Sequence, residues 1–113
     1  MSEAAEAALI WCPFGDEASA HAAAVTLVEE RLVACANVLP CVTSIYRWQG
    51  EVMQGREIGV LFKTTALLLG EASERLAQLH PYDAPAIVGW QADRAPQVTL
   101  DWLVGQTRQG SRE

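Results

Sequence analysis

The sequence predicts an α+β fold: one antiparallel four-stranded sheet with its helices on one face. Two observations carry the prediction. Segments of strand and helix character follow one another as β-α-β-β-α-β, with one more short helix at the end, and the two central strand segments are separated by only two residues, so they must form a hairpin. Right-handed crossovers on either side of a shared hairpin leave the split β-α-β arrangement, the ferredoxin-like plan.

Each element has its own warrant. Ala7-Ala8-Leu9-Ile10-Trp11-Cys12 is a short apolar run stopped by Pro13 and Gly15, a strand buried on both faces. Asp16 can cap a helix in which Ala18, Ala22, Val25 and Leu32 recur at three-to-four spacing, ending near Leu32. From Ala34 to Trp48 β-branched and aromatic residues alternate, a long strand interrupted at Pro40. Gln49-Gly50 supplies the tight turn, and the return strand runs through Val52, bends at Gly55 and continues as Ile58, Val60 and Phe62. Thr64 or Thr65 caps a second helix, about Ala66 to Leu79, with Leu68, Ala72, Leu76 and Leu79 as its apolar stripe. The prolines of His80-Pro81-Tyr82-Asp83-Ala84-Pro85 force extended geometry and hence a loop. Ala86 to Trp90 is the fourth strand, and Val98, Leu100, Trp102 and Leu103 after Pro96 form a terminal helix anchored by Trp102.

The 113 residues, half of them hydrophobic, suit one domain, with an ordered core over about 7–107 and ends that fray over Met1 to Ala5 and Gln109 to Glu113. A net charge of −6, from 8 Lys and Arg against 14 Asp and Glu, argues against nucleic acid as a partner, because a phosphate binder needs a basic face. No run of about 18 apolar residues occurs and the first residues carry acids, so neither a membrane span nor a signal peptide is expected and the chain reads as cytoplasmic. Cys12, Cys35 and Cys41, an odd count without close spacing, read as free thiols.

The plan has two consequences. The first and fourth strands are antiparallel neighbours, so Cys12 at the end of one meets the start of the other just after His80. Second, fifteen extended residues from Ala34 to Trp48 would reach about 50 Å, while a compact chain of this length is about 34 Å across. The hairpin must therefore bend or project, exposing Ile45, Tyr46 and Trp48, and self-association is the simplest cover for its edges.

Four ordered blocks then carry a family signature: Glu30-Arg31-Leu32-Val33-Ala34-Cys35-Ala36-Asn37, Val42-Thr43-Ser44-Ile45-Tyr46-Arg47-Trp48-Gln49-Gly50, Lys63-Thr64-Thr65, and Leu79-His80-Pro81-Tyr82. Together they closely resemble the CutA divalent-cation tolerance family, over about Leu9 to Thr107. The resemblance implies a homotrimer whose long hairpins wrap neighbouring subunits, similar to PII-type signalling proteins, and a role in tolerance to copper and other divalent metals. It also implies a copper site on a Cys, a His before Pro-Tyr and a Glu after the next proline. Here the first two look like Cys12 and His80, but Ala86 stands where the Glu is usual, so Asp83 is the remaining carboxylate candidate. Cys41 stands where glycine usually follows Leu-Pro.

Thiolate with imidazole suits copper or another divalent late first-row metal, though two ligands hold it weakly. Competing structural readings are Cys12 as a small apolar filler and His80 as a cap on the helix carbonyls before it. Trp48, Lys63, Tyr82 and Trp90 are candidates for lining an intersubunit cleft that takes a small anion or metabolite, the signalling-module alternative. His21 reads as a surface residue. Only Cys12 and His80 could form a nucleophile and base, nothing supplies an oxyanion hole, and the loop Pro13-Phe14-Gly15-Asp16 lacks the arginine that acylphosphatases of this plan use, so catalysis is not expected.

Overall fold

The structure, a computed structural model, describes residues 5–108; of the ends expected to fray, all but Ala5 lie outside the described residues. The elements are β1 (Ala7–Phe14), α1 (Glu17–Glu29), β2 (Cys35–Trp48), β3 (Glu51–Thr65), a 3-10 turn (Ala66–Leu68) running into α2 (Leu69–Leu79), β4 (Val88–Gln91) and α3 (Gln97–Gln106). They form one antiparallel sheet ordered β2-β3-β1-β4, the arrangement expected.

Local chemistry sets most boundaries. The Asp16 carboxylate accepts the Ser19 backbone N–H at 2.8 Å and its hydroxyl at 2.9 Å, satisfying an orphan donor at the start of α1. This helix ends at Glu29, three residues earlier than its apolar spacing suggests, because Arg31 turns left-handed at φ 62° and carries the chain toward β2. Gln49 and Gly50 both have positive φ, 49° and 83°, as a two-residue hairpin turn needs.

Four expectations need correction. The face of α1 that packs on the sheet is Ala20, Ala23, Ala24 and Leu27, while Ala18, Ala22 and Val25 are exposed. The irregularity of the hairpin is not at Gly55, which pairs normally with Ser44; it lies on β2 between Leu39 and Val42, where Cys41 has φ 66°. Neither Thr64 nor Thr65 caps the second helix through its side chain: Thr64 faces the core, and its hydroxyl donates to the Leu32 carbonyl at 2.7 Å. Trp102 does not anchor α3; it is 46% exposed, while the adjacent Leu103 is buried against Ala7 and Ala34.

The core lies between the sheet and helices α1 and α2. Ile10, Cys12, Phe14, Val60 and Phe62 supply the sheet side, and Ala20, Ala23, Leu27, Ala72 and Leu76 the helix side. Strand register places the opposite face in rows: Cys35, Lys63, Leu9 and Trp90 lie side by side, then Asn37, Leu61, Trp11 and Val88. Among the described residues no helix lies along these rows as α1 and α2 lie on the other face; α3 packs only at their end, through Leu103 on Ala7 and Ala34, and Trp90 and Val88 stay exposed. Beyond Ile58, the last partner of β1, β2 and β3 continue as a two-stranded arm. The arm stretches the chain to 52 × 26 × 21 Å, with a radius of gyration of 15.0 Å against about 13 Å for a compact chain of this length. No helix among the described residues is long and apolar enough to cross a membrane.

Candidate functional site

The candidate site lies where β1 ends, at the root of the arm. β4 pairs with β1 through Trp11↔Val88, so the residues just before β4 run alongside Cys12. His80 closes α2, its backbone N–H donating to the Leu76 carbonyl, and its extended backbone turns the ring away from the helix. The ring therefore does not cap the helix carbonyls. It stacks on Phe14, centroids 4.3 Å apart, and Nε2 sits 2.9 Å from the Pro13 carbonyl.

This bonding fixes the tautomer. A carbonyl only accepts, so Nε2 carries the proton and donates, while Nδ1 accepts the Tyr82 backbone N–H at 3.1 Å. Cys12 points its Sγ at the same Pro13 carbonyl, 3.7 Å away, so thiol and imidazole converge on one acceptor and both present protons to it. Cys12 is fully buried; burial, and secondarily the charge of Glu57, push its thiol up to about 12.

A metal requires the opposite: a thiolate and a free imidazole lone pair. Both His80 nitrogens are engaged, Cys12 is held protonated, and Asp83 is exposed on the following loop. Among the described residues no three His, Cys, Asp or Glu side chains are grouped to hold an ion. As arranged in the single chain, Cys12, His80 and Asp83 do not fit a metal.

The other candidates are scattered. Lys63 and Trp90 share a row of the open sheet face, Lys63 half-buried, while Trp48 sits at the arm tip beside the turn. Tyr82 stands at the arm root. Its hydroxyl donates to Glu57 at 3.1 Å and its ring tilts against His80 at 4.7 Å. Burial, followed by the Glu57 bond, holds its hydroxyl protonated beyond the ordinary phenol range. Cys35 is also raised by burial, opposed by the charge of Lys63. Sequence reasoning missed Glu57, Phe14 and the Pro13 carbonyl. Pro13 and Glu57 lie 67 and 25 residues from the side chains they meet, and only the register of β1 against β3 brings them together.

The family model for CutA1 divalent ion tolerance protein matches residues 8–106, nearly the whole described fold. The chain belongs to this family. A curated relative, the divalent-cation tolerance protein CutA of Thermus thermophilus, is 46% identical over 98 residues, covering 87% of this chain and 93% of that protein. The crystal structure of CutA from Xylella fastidiosa superposes with a TM-score of 0.87 at 36% identity, covering 91% of this chain and 99% of that one. A structure described as the periplasmic CutA of Archaeoglobus fulgidus gives 0.84 at 25% identity, covering 88% and 97%. With the CutA fold goes the general assignment to divalent-cation tolerance.

Proposed function

We propose that the chain serves the cytoplasmic response to divalent metal ions as a non-enzymatic homotrimer, meeting copper-like ions only weakly. The observation that carries the reading is the arm. Its two faces expose Ile45 and Val52 on one side and Tyr46, Trp48 and Met53 on the other, and no element among the described residues covers them. Proteins seldom leave so much apolar strand in water. A second copy is the natural cover, and head-to-tail closure also pairs the open edges of β2 and β4. Weak metal contact follows from the donors: His80 must give up its bond to Pro13 or to the Tyr82 N–H before a lone pair is free.

The test joins assembly to tolerance. Wild type should scatter light as three chains and restore copper tolerance to a host lacking its own copy. Ile45→Glu with Val52→Glu should scatter as one chain and fail to restore it. A folded single chain in the wild type overturns the trimer. In a Cys41→Ser background, copper affinity should fall in Cys12→Ala and His80→Ala; unchanged affinity removes both residues from any metal role.

A second reading has one observation in its favour: Lys63, outside the ion pairs formed among the described residues, sits in a row with Trp90 on the uncovered face. A cation and an indole on one face, two strands apart with Leu9 between them, can grip opposite ends of a small anion or metabolite held between subunits. Such a ligand should raise the melting temperature of wild type and not of Lys63→Ala.

A further inference from the structure

The arm leaves the body at a defined place. β1 stops supporting β3 at Ile58, and on the other strand the regular pairing breaks between Leu39 and Val42, so both strands lose their lateral hold at one level. Glu57, paired with Val42, is the first β3 residue on the arm side of that level. It is also the residue the Tyr82 hydroxyl reaches, at 3.1 Å, from the loop after α2.

Tyr82 is itself held from the body. His80 Nδ1 accepts its backbone N–H, the His80 ring is stacked on Phe14, and Nε2–H is fixed to the Pro13 carbonyl. Gly15 makes room for the phenol: a Cβ there would stand 2.6 Å from the Tyr82 oxygen. The contacts Phe14–His80, His80–Tyr82 and Tyr82–Glu57 tie a rigid part of the body to the β3 side of the ribbon's root.

We infer that His80 and Tyr82 form a latch that sets the pitch of the hairpin arm, with Glu57 as the catch. A two-stranded ribbon twists and bends readily at a bulge, and one bond placed there has leverage over the whole arm. In the single chain, then, the His-Pro-Tyr segment is arm-positioning. Its consequence for assembly rests on the reading of the arm given above; the latch does not.

Hydrogen exchange read by segment tests it on the full chain. Tyr82→Phe and Glu57→Leu should each speed amide exchange at the root, residues 42–46 and 54–58, by about three- to tenfold, the scale expected for losing one exposed hydrogen bond of ordinary net strength. The double variant should add nothing to either single change. Gly15→Ala, which displaces the phenol while keeping its hydroxyl, should give the same signature. Unchanged root exchange, additive effects in the double variant, or a rise that also includes Ala7 to Phe14 overturns the latch. Light scattering on the same samples reports the assembly separately: a single-chain wild type sinks the trimer, while root exchange still decides the latch.

Discussion

β3 is one uninterrupted strand that passes through two environments, and the contrast between its halves explains much of the molecule. In the body, Val60 and Phe62 are fully buried beneath α1 and α2; in the arm, on the same strand and with similar side chains, Val52 is 65% exposed. The apolar character of a strand thus says that it will be covered, not by what. The helix-covered face of the body finds its cover within the chain, so the stability of that core is a property of the folded monomer. The arm finds none among the described residues, and on the reading proposed above its apolar side chains contribute stability through assembly.

The sharpest way to break this comparison is in the body. Phe62→Ala removes a ring from a closed core and should cost about 3–5 kcal/mol. In chemical denaturation that loss should be independent of protein concentration. The arm pair Ile45→Glu and Val52→Glu should instead leave the body's own stability within experimental error while abolishing the concentration dependence of melting. If Phe62→Ala acts only through assembly, or the arm pair destabilises the monomer, the division fails.

What was legible in the sequence follows the same line. Ile10, Phe62 and Leu76 announce themselves by period, because a covered face repeats every two residues on a strand and every three or four on a helix. On the alanine-rich α1 small residues lie on every side, and the spacing of Ala18, Ala22 and Val25 picks out the exposed face instead of Ala20, Ala23 and Leu27. The projecting hairpin was legible from length alone. Less legible was anything depending on which of two adjacent residues faces inward: Leu103 took the place expected of the larger Trp102, since α3 packs on small residues, Ala7 and Ala34. The topology placed Cys12 near His80, but not the atoms that occupy them. That Pro13 offers one carbonyl to both, leaving His80 no free nitrogen, is decided by side-chain rotation and has no sequence signal.

The two cysteines at the body and the root sharpen the contrast at intermediate size. Cys12 is buried with its thiol pushed up to about 12, whereas Cys41 is exposed. At pH 8.5 an alkylating reagent should label Cys41 in the native protein, and Cys12 only after unfolding. The pH sign follows from the raised value: the unfolded chain loses the Cys12 proton first, so stability from its burial is complete below the ordinary thiol range. It is lost as pH climbs toward about 12. The difference in melting temperature between wild type and Cys12→Ala should therefore narrow between pH 8 and 11. A constant difference would mean that Cys12 contributes packing alone.

The smallest expected effect bears on the boundary itself. Cys41 holds φ at 66° where β2 breaks its pairing, a left-handed conformation in which a Cβ crowds the following carbonyl. Glycine is free of that crowding but loses more backbone entropy on folding, and the two terms oppose each other. The steric term, about 1–2 kcal/mol, exceeds the entropic one, about 0.5–1 kcal/mol, so Cys41→Gly should raise stability by up to about 1 kcal/mol. A β-branched Cys41→Val should lower it, because its side chain tolerates the left-handed region least. Neither change should alter exchange in the core strand Ala7 to Phe14. If Cys41→Gly is neutral while Cys41→Val destabilises, the bulge owes its geometry to Pro40 and the flanking pairs, and the root of the arm carries no stored strain.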